Sequence, residues 1–241
     1  MQYFWETVET IEEGVGFDHF SPLHFTWLAV GAVIIVLNCL WYRKLSAEKR
    51  DNWRKIIAAL LILDELFKMT ILFIGGRYEW DYLPLHLCSI NIFTITWHAW
   101  KPSDFLGNFL YTICIPGALA ALLFPSWASL PVTSAMHIHS FTIHILLIMY
   151  PIVLVSAGDI KPDWKLIPKC MGLLLVMAAL NVAVNLLLDT NFMFLMYADP
   201  GNPLALFEQM WGSHLLGFPV IIAAVLIVMH LPIVLYRKIK K

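Results

Sequence analysis

The side chains here that could do chemistry are ionisable or imidazole groups set in apolar stretches. Asp64, Glu65 and Lys68 lie in Ile62-Leu63-Asp64-Glu65-Leu66-Phe67-Lys68. His86 and Cys88 lie in Leu83-Pro84-Leu85-His86-Leu87-Cys88-Ser89, with Asn91 just beyond. His137, His139 and His144 open another apolar run, Asn181 and Asn185 sit late in a further one, Asn191 follows it, and His214 begins the last. Ionisable groups inside a membrane-type segment are costly and are usually kept for pairing or function. Imidazole serves as a general base near neutral pH. A thiolate made by a nearby imidazole is a nucleophile. Each group also has a plainer use. Asp64 and Lys68, four apart on one helical face, can pair with each other. A lone membrane histidine often donates between helices. A cysteine such as Cys88 often serves as a small core residue.

Spacing narrows the partners. His86 and Cys88 are two apart, about 200° around a helix, so they diverge unless Pro84 distorts the entrance. His144, from a different segment, is the better partner for Cys88. Positions 137, 140, 141 and 144 share a face. A metal site from His137, His139 and His144 is a weak reading, because residues two apart point away from each other on a helix, and no metal or cofactor is expected. Cys39, Cys88, Cys114 and Cys170 are scattered singly, and there is no HExxH, GxSxG or phosphate-cradling glycine loop.

The elements that must position these groups are membrane spans. The chain has 241 residues, of which 60% are apolar and 14% charged, and its mean hydropathy is +0.73. A soluble domain is closer to half apolar and a quarter charged. With a net charge of −1 and no basic stripe, the chain does not suit nucleic acid. A spanning helix takes about 20 apolar residues. The apolar runs predict an all-α bundle of seven transmembrane helices, roughly 23–42, 56–74, 83–100, 105–124, 138–157, 171–188 and 215–236. These form one integral membrane domain over residues 1–241, with an acidic extracytoplasmic N-terminus to about 20 and a basic tail from about 237. No internal repeat is evident.

Basic residues set the orientation, since loops that carry them resist translocation. Arg43, Lys44, Lys49, Arg50, Arg54, Lys55, Lys101, Lys161, Lys165, Lys169 and the tail residues Arg237, Lys238, Lys240 and Lys241 fall on one side, against Arg77 alone on the other. The expected arrangement is N-outside and C-inside, in the plasma membrane. His86, Cys88, His137, His139, His144 and His214 then lie early in inward-running spans. Lys68 and Asn185 lie late in outward-running ones. All fall in the outer half of the bilayer, which predicts one polar pocket there. His98 and His230 lie deeper or on the cytoplasmic side.

The run Leu83–Cys88, the stretch Gly117–Pro125, His144 seven residues before Pro151, and Asn191–Leu195 together resemble bacterial YwaF-type membrane proteins. That family is similar to the animal transmembrane protein 164 acyltransferases, and the resemblance covers about Asp64 to Trp211. It implies movement of an acyl chain between a phospholipid and a lysophospholipid by a cysteine and a histidine. The catalytic histidine matches His144, a second shared histidine His86, and a shared lysine Lys68. The family cysteine immediately precedes the first histidine, where this chain has Leu85, and Cys88 lies three residues later. The resulting expectation is a lipid-modifying enzyme with His144 as base, Cys88 as nucleophile or a direct or hydroxyl-mediated transfer in its place, and His86 beside them. Lys68, Asp64, Asn191, His137, His139 and Asn185 would line the pocket. The alternative is a membrane protein that binds or transports a lipid or small molecule without catalysis.

Overall fold

A computed structural model describes residues 2–198 and 202–239, with side chains described as far as Leu235. Lys240 and Lys241 of the expected basic tail lie outside the described residues. Nine α-helices are present among the described residues, with no strand: α1 Pro22–Tyr42, α2 Ala47–Ile74, α3 Leu87–Trp100, α4 Asp104–Phe109, α5 Ile115–Leu123, α6 Ala135–Ala157, α7 Ile167–Leu188, α8 Pro203–Trp211 and α9 Gly217–Ile239. The starts follow from local chemistry. The Ser21, Ser46 and Ser103 side chains accept backbone N–H groups of the first turns of α1, α2 and α4. Proline occupies the first turn of α1, α7 and α8, where its missing N–H costs nothing. Gly158 and Gly212 end α6 and α8 in the left-handed conformation. Between α4 and α5 the segment Leu110–Cys114 widens into a π-helix, with the Ile115 N–H reaching the Leu110 carbonyl. Pro116 follows directly, and its ring cannot share a regular helical turn with the carbonyl four residues back.

Five helical stretches are long and apolar enough to cross a bilayer: Pro22–Tyr42, Asp104–Leu123, Ala135–Ala157, Trp164–Leu188 and His214–Leu235. These make the chain a multi-pass membrane protein. Two of the seven expected spans differ. Helix α2, at 28 residues, is long enough but holds Asp64, Glu65 and Lys68 in its apolar part. Helix α3 has 14 residues, about 21 Å at 1.5 Å per residue. The run from Leu83 is cut short because His86 is extended, with φ −60° and ψ 150°, and acts as the N-cap. Helix α8 falls inside a stretch expected to be loop.

Helix α6 is the centre of the bundle. It packs against α1, α2 and α5, while α2 also packs against α3. Phe141, Leu147, Tyr150 and Leu154 of α6 are fully buried together with Ile57, Leu61, Ile92 and Ile95. The outer helices are the reverse. Leu187 of α7 is 82% exposed and Val228 of α9 is 70% exposed. Apolar faces this bare are stable only against lipid or another protein.

The two ends of the bundle are tied differently. At one end Tyr42 donates to Asp159 at 2.7 Å and Arg50 pairs with the same carboxylate at 3.0 Å. At the other, residues 2–20 fold back as a strap. The Phe17 N–H donates to the Ala128 carbonyl, and the Ala135 N–H to the Phe4 carbonyl. Glu6 pairs with Arg77 and Glu9 accepts from Tyr82. A Cβ at Gly16 would lie 2.1 Å from the Ala128 oxygen, so only glycine lets the strap approach this closely.

Candidate functional site

The strapped end also gathers the polar groups. Where α2 meets α6, Thr142 donates its hydroxyl to Asp64 Oδ2 at 2.8 Å, and His139 donates Nδ1–H to Asp64 Oδ1 at 3.2 Å. One position further along α2, about 100° around the axis, Glu65 pairs with Lys68 at 2.5 Å. Both members of that pair are buried. The pairing of Asp64 with Lys68 that the spacing suggested is therefore replaced by two separate contacts. Asp64 finds donors across the helix interface, and Lys68 takes the carboxylate one turn behind it.

His144 Nδ1 lies 2.6 Å from the Ser140 carbonyl oxygen. A carbonyl only accepts, so Nδ1 carries a proton, and in the neutral ring Nε2 is then the atom with the lone pair. The ring lies flat on Trp127, with centroids 5.1 Å apart and planes at 14°. His86 has the opposite arrangement. Its Nδ1 accepts the Met193 N–H at 3.3 Å, which leaves the proton on Nε2. Phe192 and Phe194 flank its ring at 5.2 and 5.8 Å. One imidazole thus offers an acceptor and the other a donor. His144 lies within electrostatic range of His86, His139 and Asp64, and His86 within range of Lys68.

The loop that meets His86 is held in a costly shape. Met193 and Phe194 both have left-handed backbones, with φ of 60° and 55°, a conformation costing about 1–3 kcal/mol at each non-glycine residue. Asn185 offsets this. Its Oδ1 accepts from the Phe192 N–H and the Thr190 hydroxyl, and its Nδ2 donates to the Phe192 carbonyl. Asn191 repeats the device, accepting from the Met196 N–H at 3.0 Å and donating to the Tyr197 carbonyl at 3.0 Å, while its own N–H goes to Asp81. These two asparagines were expected to line a pocket. Their side-chain amides hold the loop that presents Met193 to His86.

The remaining expected residues are spread more widely. His137 is fully buried, donates Nδ1–H to the Leu130 carbonyl at 2.9 Å, and packs among Phe17, Trp27 and Phe141. It belongs to an aromatic cluster between α1 and α6. Cys88 lies on the first turn of α3, half-buried against the main core. Among the described residues its thiol makes no hydrogen bond to either imidazole or to any other group, and Cys114 lies within its electrostatic range. His214 is buried at the entrance to α9. His98 and His230 are engaged elsewhere, with Tyr150 and Thr112. Among the described residues no three His, Cys, Asp or Glu side chains converge as a metal site would require.

Trp127 escaped the sequence reading, and Asn91 entered it only as a neighbour of Cys88. Trp127 sits in the Pro125–Pro131 loop, outside every apolar run, yet it is buried against His144. Asn91 is buried, and among the described residues its side-chain oxygen Oδ1 is unpartnered, one turn beyond Cys88. Its place on the Cys88 face was the available signal. For Trp127 there was none beyond its nearness to the histidine-rich start of α6.

Compared with known proteins, the model of the TMEM164 family matches residues 19–230. No curated protein and no solved structure matches the chain.

Proposed function

The chain belongs to the TMEM164 family, and from that premise we propose that it moves acyl chains between membrane phospholipids and lysophospholipids, with His144 as the base. The observation that carries this reading is the opposed hydrogen bonding of the His144 and His86 rings at one end of the bundle, one Nδ1 facing a carbonyl and the other an N–H. The lysophospholipid hydroxyl gives its proton to His144 Nε2 as its oxygen attacks the donor ester carbonyl. The carbonyl oxygen gains charge, and His86 Nε2–H together with the positive field of Lys68 stabilises it. Fixed donors in a water-poor site act strongly on such charge. The old ester C–O bond then breaks, and the departing glycerol oxygen takes the proton back from His144. Protons balance, and one phospholipid and one lysophospholipid are exchanged for another such pair.

The direct route suits the surroundings of Cys88 better than a covalent one, since among the described residues the Cys88 thiol has no hydrogen-bonding partner to activate it. The same proposal includes seven membrane crossings, with α2 and α3 completing the set beside the five apolar helices, and the N-terminus outside the plasma membrane. The lopsided distribution of Lys and Arg supports that orientation. The site then faces the outer leaflet beneath the strap.

The test uses purified protein in phospholipid vesicles with an isotopically labelled lysophospholipid. Wild-type protein is expected to move label into phospholipid. His144→Ala should lose about 10²–10⁴-fold in rate, the usual share of a general base, and Cys88→Ser should stay active. Full activity in His144→Ala overturns the mechanism. A wild-type protein that retains lipid but leaves acyl composition unchanged is a lipid-binding protein.

A further inference from the structure

Trp127 is held where its ring can serve the reaction and its N–H has nothing to do. The residue is 7% exposed, and among the described residues its indole Nε1–H has no hydrogen-bond partner. Buried tryptophan normally finds a partner for that N–H, because an unpaired buried donor is a standing cost to the fold. Its position is fixed on several sides. His144 stacks against one face, Phe141 meets it at 5.4 Å with planes at 88°, and the Trp127 carbonyl accepts the Leu130 N–H at 3.0 Å. The Ala128 carbonyl, next in sequence, is held by the Phe17 N–H of the strap. The donor is therefore rigid, shielded from water and one ring-stack away from the proposed base.

Resting on the acyl-transfer reading above, we propose that the Trp127 indole N–H is a binding donor for the oxygen of the transferred acyl group, the ester carbonyl of the substrate and the oxyanion formed from it. A neutral donor fits this task. It adds no charge beside His144, so it does not oppose protonation of the imidazole during attack. It also explains why a tryptophan, rather than a smaller aromatic residue, stacks on the histidine. The stack alone would be served by phenylalanine. In this proposal the N–H acts together with His86 Nε2–H, and two donors define a site for one oxygen.

The test replaces Trp127 with benzothienylalanine, which has nearly the same shape but sulfur in place of the N–H, and in parallel with Trp127→Phe. Three readouts separate the outcomes. In acyl exchange the isosteric variant should lose about 10²-fold in kcat, the usual effect of removing one oxyanion donor, with KM for lysophospholipid little changed. A phosphonate analogue of an acyl glycerophospholipid, which mimics the tetrahedral oxyanion, should bind at least tenfold more weakly to it. Thermal stability in detergent should match the wild type, because no existing bond is lost. Unchanged kcat and unchanged phosphonate affinity, with His144→Ala inactive, overturn this proposal and leave the acyl-transfer reading standing. A marked loss of stability in the isosteric variant also overturns it, since the N–H would then already be engaged, for example on the Phe141 ring. An active His144→Ala instead removes the reading on which the proposal rests.

Discussion

Replacing Lys68 with Met tests whether the buried charges of α2 hold the fold, the site or both. Lys68 and Glu65 are 6% and 7% exposed and their charged atoms are 2.5 Å apart. At an effective dielectric of about 20, that separation corresponds to roughly 7 kcal/mol of attraction. Most of it is offset by the cost of taking both charges out of water, so the pair itself adds little net stability. Removing one partner is different. It leaves the other charge buried and alone, at a cost of about 3–5 kcal/mol. That is a large part of the roughly 5–15 kcal/mol that holds a typical protein together. Lys68→Met is therefore expected to be severely destabilised, as is Glu65→Leu alone, whereas the double variant should approach wild-type stability. The assay is unfolding of purified protein in mixed micelles by increasing SDS, run as a double-mutant cycle. A coupling energy of about 3 kcal/mol or more is expected. Single variants no worse than the double would refute the reasoning, because the two charges would then not depend on each other. The double variant also isolates function. It should fold yet exchange acyl chains slowly, since the positive field at His86 is gone. Full exchange by the folded double variant would reduce Lys68 to a structural role.

Two further outcomes follow from the loop and the strap. Asn185→Leu removes the three contacts to Thr190 and Phe192, worth about 1–3 kcal/mol where buried groups lose their partners; amide hydrogen exchange over residues 190–197 should quicken and acyl exchange should slow as His86 loses its Met193 contact. Unchanged protection in that loop would show that the asparagine does not hold it. The Thr10 hydroxyl, with a further contribution from the Arg77 guanidinium, holds the Glu6 carboxyl below the usual carboxylate range. A group whose folded pKa is depressed adds stability above its unfolded value and loses it as pH falls through the folded value; protection factors over residues 2–20, taken relative to the intrinsic amide exchange rate at each pH, should therefore fall below about pH 4 while those of α6 hold, and strap protection factors equal from pH 7 to pH 3 would contradict this.

Much of the plan was legible along the chain. Apolar runs marked most helices because burial or lipid contact demands them, and Ser, Pro and Gly marked several ends through hydrogen bonding and backbone geometry. The shortening of α3 at His86 was only half visible: Pro84 marked an irregular entrance, but apolar residues continue on both sides of His86, and it is the extended backbone at 86 that breaks the run. The π-helix before Pro116 was hidden for a related reason, since proline can be absorbed by a kink, a break or a widened turn.

The sequence alone placed Asp64, Lys68, His86, His139, His144 and Asn185 near one end of the bundle, because position along a spanning helix depends only on counting residues from its ends. It could not choose partners. Asp64 can meet Lys68 or a neighbouring helix, and Asn185 can meet a ligand or a loop, with equal local cost. Tertiary packing decided both, by turning α2 so that Asp64 faces Thr142 and His139, and by folding residues 190–197 back over Asn185. The protonation of each imidazole was decided the same way, since it depends on which backbone group lies within 3.5 Å of a ring nitrogen, and rotation about a helix axis and the path of a loop are set by contacts distant in sequence.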